Sequence, residues 1–159
     1  MIELAPRLFH DVTVGDDLPP VTGTVTTSTI VLGALAARDT AAVHHDRDAA
    51  QRRGLADVFA DQPTQAAWLE RVVTEWAGPR GRLGRLTFAM RVPIVPGDVI
   101  AVAGRVTGSQ TDAVGCGWVE LELAIVVDDR VRTSGTAVVA LPMHRADNPW
   151  DRRGANWTP

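Results

Sequence analysis

One change of period governs this chain. Residues 63–77 repeat apolar side chains at helical spacing, with Ala66, Leu69, Val73 and Trp76 on one face. The second half repeats mostly at the spacing of a strand. Leu86, Phe88, Met90, Val92 and Ile94 alternate, and so do Val119, Leu121, Leu123, Ile125 and Val127, with Glu120 and Glu122 on the other face. Residues 98–107 and 130–141 also read as strands, with Pro96-Gly97-Asp98 and Asp128-Asp129 as turns between them. The helix has defined ends. Asp61 is available as its N-cap, Pro63 falls in the first turn where a missing N–H costs nothing, and Gly78-Pro79 stops it. One long amphipathic helix followed by four antiparallel strands must bury its apolar face on the sheet those strands make. The fold class is therefore α+β.

The first half is less regular. Residues 7–20 mix Val, Phe and Leu with Asp16-Asp17 and close on Pro19-Pro20, as an irregular lead-in does. Residues 21–28 are β-branched and predict a strand, and residues 29–38 predict a short apolar helix capped by Ser28 or Thr29. A polar stretch runs from Asp39 to Arg53. Residues 142–159 hold three Pro and two Trp without periodicity and are expected to form an irregular C-terminal tail, outside a single domain at 1–141.

Composition removes several function classes. With 159 residues the chain can bury roughly 70% of its unfolded surface without a metal or disulfide staple. Its one cysteine, Cys116, sits between Gly115 and Gly117 and reads as structural; no Cys/His cluster suggests a metal. The net charge of -3 without a basic run counts against nucleic acid as a partner. All 16 basic residues are Arg, which removes lysine chemistry. No apolar stretch approaches the ~18 residues of a membrane span. The opening residues Met1–Arg7 lack the basic and apolar regions of a signal peptide, so a soluble cytoplasmic protein is expected.

The chemistry concentrates between Asp39 and Ala50, where His44, His45 and the carboxylates of Asp39, Asp46 and Asp48 crowd a polar segment. An Asp and a His sharing one water form a general acid/base pair near neutral pH. On a continuous helix, residues five apart point about 140° away from each other. Asp39 and His44 can converge only if the helix ends near Asp39. Otherwise Asp39 caps a helix end and His44-His45 is a solvated turn. His45 is the competing histidine, one residue out of step. Asp46 and Asp48 are expected to cap the next turn or pair with Arg52 or Arg53. Arg80, Arg82 and Arg85 form a charge cluster that could meet coenzyme A phosphates or simply be a solvated loop. Trp68 and Trp76 read as core or interface.

Asp39 to Ala50 resembles the hydratase motif of the MaoC family of hotdog-fold enoyl-thioester hydratases, in which an Asp is followed five positions on by a His, then x-Asp, then Ala; His44, Asp46 and Ala50 fit it. Residues 9–19 and 92–100 are also similar to this family, and the resemblance spans roughly residues 8–141. A narrower resemblance, carried by Val43-His44-His45-Asp46-Arg47-Asp48, Asp57-Val58-Phe59 and Val73-Thr74-Glu75-Trp76-Ala77-Gly78-Pro79, is to the small MaoC-type subunit of actinobacterial steroid side-chain enoyl-CoA hydratases.

The resemblance implies a hotdog fold, a sheet wrapped around the central helix. It implies hydration of a trans-2-enoyl thioester, or the reverse dehydration, with Asp39 and His44 as the catalytic pair and the Gln62 backbone N–H facing the thioester oxygen. Coenzyme A enters as part of the substrate, with no separate cofactor and no metal. The partner it implies is a second MaoC-like hotdog chain in a heteromer, or the chain itself in a homodimer, joined near residues 85–92 and the central helix. Two departures stand out. The family's His-Gly pair at the helix start is Asp61-Gln62 here, and its Asn-Pro between the catalytic residues is Ala41-Ala42. Other functions remain open: a thioesterase or acyl-carrier dehydratase of the same fold, or a non-catalytic subunit completing a partner's site.

Overall fold

The alternating second half forms the sheet that the helix needs. The computed structural model describes residues 6–159; Met1–Ala5 of the opening stretch lie outside the described residues. The strands are β1 (Asp17–Thr24), β2 (Arg82–Met90), β3 (Val99–Thr111), β4 (Gly117–Val127) and β5 (Arg130–Leu141). They form one sheet in the order β1-β3-β4-β5-β2, with every pairing antiparallel. The helices are α1 (Thr27–Ala36), the short α2 (Arg47–Arg52) and the long α3 (Gln62–Ala77).

The core lies between α3 and one face of the sheet. Leu69, Val72, Val73 and Trp76 of α3 pack in the same cluster as Val119, Leu121, Leu123, Ile125 and Val127, the alternate residues of β4. Burial of each such side chain stabilises by roughly 1.5–3 kcal/mol. Asp61 caps α3 through its side chain, which accepts from the Thr64 N–H, and Gly78 ends it at φ 75°. This helix wrapped by an antiparallel sheet is a hotdog architecture.

Several boundaries differ from expectation for identifiable reasons. Strand β1 starts at Asp17 and contains Pro19 and Pro20 rather than following them. It is an edge strand, and the prolines sit where its register with β3 shifts, between Leu18 and Val21. A bulge on an edge is where a residue without an N–H is tolerated. Helix α1 starts earlier than expected because Thr26, not Ser28 or Thr29, is its N-cap; Thr29 returns the bond to the Thr26 N–H in a capping box. Strand β2 ends at Met90, short of the alternation that runs to Ile94. The N–H groups of Arg91 and Val92 both reach the Arg132 carbonyl, and Pro93 has none to offer, so the ladder stops. Ile94 is still fully buried, and its carbonyl accepts from Ala60.

The tail docks on the sheet's other face. Trp157 lies with its ring 4.8 Å from that of Trp118, whose side chain points opposite to Val119 and Leu121. Among the described residues no helix is long and apolar enough to cross a membrane.

Candidate active site

The convergence of Asp39 and His44 depends on how α1 ends. Ala37 closes the helix, and Arg38 then takes a left-handed backbone with φ 57°. The Asp39 N–H turns back to the Ala34 carbonyl at 2.8 Å, the bond that terminates a helix at a left-handed residue. Gly33 lets α1 sit close enough to α3 for this: a Cβ there would collide with Thr64 Oγ1. The chain leaves α1 at Asp39, whose Oδ1 accepts from the Ala41 N–H at 2.9 Å. A single 3-10 turn, Ala42–His44, then carries the imidazole back.

The result is a defined pair. His44 Nε2 lies 3.4 Å from Asp39 Oδ2. His44 Nδ1 lies 2.7 Å from the Phe59 carbonyl oxygen, which can only accept, so the proton is assigned to Nδ1. The imidazole is 5% exposed and stacks obliquely on the Phe59 ring, 4.6 Å between centroids. The Asp39 side chain remains 36% exposed. In the neutral ring, Nε2 then presents a lone pair toward a carboxylate oxygen. Two acceptors at this spacing cannot bond each other, but both can accept from one water.

Phe59 also leads into the helix start. Three residues on, the Gln62 N–H begins α3 and has no acceptor among the described residues. Pro63 follows with no N–H, and Asp61 Oδ1 takes the Thr64 N–H at 3.1 Å. The free donor stands at the positive end of a 16-residue helix.

No protein-family model matches the chain. A curated relative is the 3-oxo-4,17-pregnadiene-20-carboxyl-CoA hydratase beta subunit of Mycobacterium tuberculosis, 40% identical over 78 residues. That stretch is 49% of this chain and 60% of the relative, less than two thirds of its length. The crystal structure of the ChsH1-ChsH2 complex from Mycobacterium tuberculosis contains a chain that superposes with a TM-score of 0.75 at 29% identity, over 81% of this chain and 98% of that one. The chain is similar to MaoC-like hotdog proteins in fold, and over part of its length in sequence. The R-hydratase PhaJ1 from Pseudomonas aeruginosa shares the fold, with a TM-score of 0.75 at 18% identity over 88% of this chain and 87% of that one.

The two positions that depart from the motif resembled in the sequence are each held by a local bond. Asp61 caps α3, and the turn at Ala41-Ala42 is held by the Ala41 N–H on Asp39 and the His44 N–H on the Ala41 carbonyl, at 3.1 Å. Asp46 does cap the next helix, accepting from the Ala49 N–H at 3.0 Å, and stands 4.0 Å from Arg52.

Two of the three arginines of the expected cluster are engaged by the tail. Arg80 donates to the Arg145 carbonyl. Arg82 donates to the Pro149 and Arg152 carbonyls at 3.2 and 3.0 Å, with its guanidinium 3.5 Å from the Trp157 ring centroid. Both hold the tail rather than standing free for phosphates, and only Arg85 of the three is without a hydrogen bond from its side chain among the described residues. Sequence reasoning weighed the tryptophans and arginines separately and missed that they stack.

It also missed the walls beside Asp39. Val31, Ala34 and Leu35 of α1, with Arg38, Thr40 and His45, line an open cleft of about 580 Å³ that Asp39 also lines. His45 is exposed at its rim and has no hydrogen bond to the pair. The Phe59 carbonyl, a backbone acceptor, carries no residue-type signature at all.

Cys116 is buried beside Trp118 and Ala140. Burial pushes its thiol up, against the lowering influence of Arg152, so it stays an unreactive thiol.

Proposed function

We propose that the chain is an enoyl-CoA hydratase that adds water across a trans-2-enoyl-CoA thioester, or removes it in reverse. The observation that carries this is the pair itself: His44 Nε2 and Asp39 Oδ2 at 3.4 Å, with Nδ1 pinned to a carbonyl. A water donating one hydrogen to each acceptor turns its oxygen lone pair outward, toward the Cβ of an enoyl group. On attack the water's proton passes to the pair, the Cα–Cβ π electrons shift toward the thioester carbonyl, and a proton from the pair completes Cα. The negative charge that develops on the thioester oxygen meets the free Gln62 N–H, reinforced by the α3 dipole. Coenzyme A enters as part of the substrate, and no separate cofactor is needed for this proton chemistry.

The acyl group we assign is bulky and of the steroid side-chain type. The relative named as a pregnadiene-carboxyl-CoA hydratase subunit supports this, as does the open apolar cleft beside Asp39. The active form we assign is an assembly with a second MaoC-like chain. The solved ChsH1-ChsH2 complex supports this, and so does β2, an edge strand whose Phe88, packed on the core, is only partly covered.

The test is loss of enoyl-thioester absorbance with crotonyl-CoA, a long-chain enoyl-CoA and a steroidal enoyl-CoA. Each is assayed for the chain alone and with a co-expressed MaoC-like partner. Hydration that is greatest on the steroidal substrate in the mixed assembly is expected. Absence of hydration on every substrate in both assemblies would remove the proposal.

A further inference from the structure

The core of this protein is apolar except at one end. Among the described residues the buried polar side chains are His44, Asp61, Thr64, Gln65 and Thr133. Four of them belong to the catalytic turn or the start of α3, and the fifth faces that start from β5. Gln65 and Thr133 are both fully buried, and neither can meet substrate or solvent directly. A glutamine inside a hydrocarbon core is costly unless its amide is bonded, and a leucine there would avoid that cost.

The bonds Gln65 makes point to its use. Its Oε1 accepts from Thr133 Oγ1 at 2.5 Å, which ties the helix to the sheet across 68 residues of sequence. Its Nε2 donates to the Ala60 carbonyl at 2.9 Å. Ala60 in turn donates its N–H to the Ile94 carbonyl at 2.9 Å. The residue before it, Phe59, supplies the carbonyl that holds His44 Nδ1, and two residues after it stands the Gln62 N–H. One short strap of backbone therefore carries both the acceptor that orients the imidazole and the donor that would face the thioester oxygen. Gln65 fixes that strap to the sheet.

We propose that Gln65 and Thr133 are positioning residues for the hydration site, because the Thr133–Gln65–Ala60 relay sets the backbone that orients His44 and aims the Gln62 N–H. This rests on the hydratase assignment. Both groups are fully buried and act through residues 59–62. Thr133 is registered opposite Ile125 on β4 and Met90 on β2, so the relay is anchored within three paired strands rather than on a loop.

The test compares Thr133→Val, Thr133→Ser and Gln65→Met in the full chain, with two readouts. The first is hydration of the best enoyl-CoA substrate. Thr133→Val and Gln65→Met are expected to lower kcat by ~10- to 100-fold with KM within about 2-fold, the scale of a misplaced catalytic group. Thr133→Ser, which keeps the hydroxyl, is expected to recover most of it. The second is the imidazole Nδ1–H resonance of His44 in the folded protein, which does not depend on turnover. It is expected to shift or broaden in Thr133→Val and to return in Thr133→Ser. Folded Thr133→Val with wild-type kcat and an unmoved His44 resonance would overturn the proposal. If the wild-type chain hydrates nothing, the hydratase assignment fails alone; the resonance still decides whether the relay holds His44, an unmoved signal rejecting it and a shifted one supporting it.

Discussion

The Phe59 carbonyl lies 2.7 Å from His44 Nδ1, which leaves Nε2 as the only imidazole nitrogen able to accept a proton at the Asp39 carboxylate. A ring held this way cannot rotate or switch tautomer without losing the bond of a buried nitrogen. Asp39→Asn and His44→Ala are therefore each expected to lower kcat by at least ~100-fold, the scale of a general acid/base group. His45→Ala should cost far less, since His45 lies exposed at the cleft rim. Steady-state kinetics on all three, with far-UV circular dichroism to confirm folding, decide this. A larger loss from His45→Ala than from His44→Ala would contradict the assignment.

Arg38 holds the left-handed backbone that turns the chain out of α1. A β-branched residue is strained there, whereas glycine is not. Arg38→Val is expected to unfold at lower denaturant than Arg38→Gly, by the equivalent of about 1–2 kcal/mol. It should also lower kcat more, because Asp39 follows directly. Equal midpoints for the two variants would mean that the turn is not under strain.

The condition for convergence was legible before the structure: Asp39 and His44 meet only if a helix stops at Asp39. What stops it was not legible, because the left-handed position carries Arg rather than Gly or Asn, and side-chain propensity gives no warning of that. The long helix and the strands were legible from period alone, since α3 and β4 each bury one regular face. Strand β1 was displaced because two prolines usually deny a strand, and only its place at an edge permits them. The Phe59 carbonyl and the Gln65–Thr133 bond were invisible, one being backbone and the other joining residues far apart in sequence.

Stability near the β3–β4 turn should depend on acid in a defined direction. Burial pushes the Asp112 carboxyl up, but it accepts from Trp118 Nε1 at 2.9 Å, Cys116 N at 2.8 Å and Val114 N at 3.0 Å, and Arg152 is near. The balance holds it below the usual carboxylate range. A folded pKa below the unfolded one contributes stability that is present above the unfolded value and is lost as pH falls through the folded value. Asp112→Asn should therefore have a lower Tm than wild type near neutral pH, and the gap should close in acid below the ordinary carboxylate pKa of about 3.9. Thermal melts across that range measure it; a gap that widens in acid would show the opposite sign.

Among the described residues strand β2 leaves one edge of the sheet unpaired, with Phe88 only half-covered. Pairing with a second hotdog chain there should bury more than about 1,000 Å². Light scattering is expected to give a dimer mass, and Thr87→Asp, at an exposed position of β2, is expected to shift it toward a folded monomer. A wild-type monomer with full hydratase activity would remove the need for any partner.

Arg82 separates two uses of one cation. Its guanidinium stacks 3.5 Å from the Trp157 ring centroid and bonds two tail carbonyls, so it serves as the clasp that fastens residues 142–159 over Trp118. Losing the stacking and the two hydrogen bonds in Arg82→Ala should destabilise by about 1–3 kcal/mol and free the tail for limited proteolysis. Trp157→Ala should reproduce that effect, because it removes the other half of the clasp. Neither change should raise KM for the acyl-CoA by more than about 2-fold, since a phosphate contact at an arginine is lost only where one exists. Arg85→Ala, at the one arginine of the three without such a bond, is the comparison. A KM increase confined to Arg82→Ala, with an unchanged melting temperature and an uncut tail, would return Arg82 to the coenzyme A phosphates.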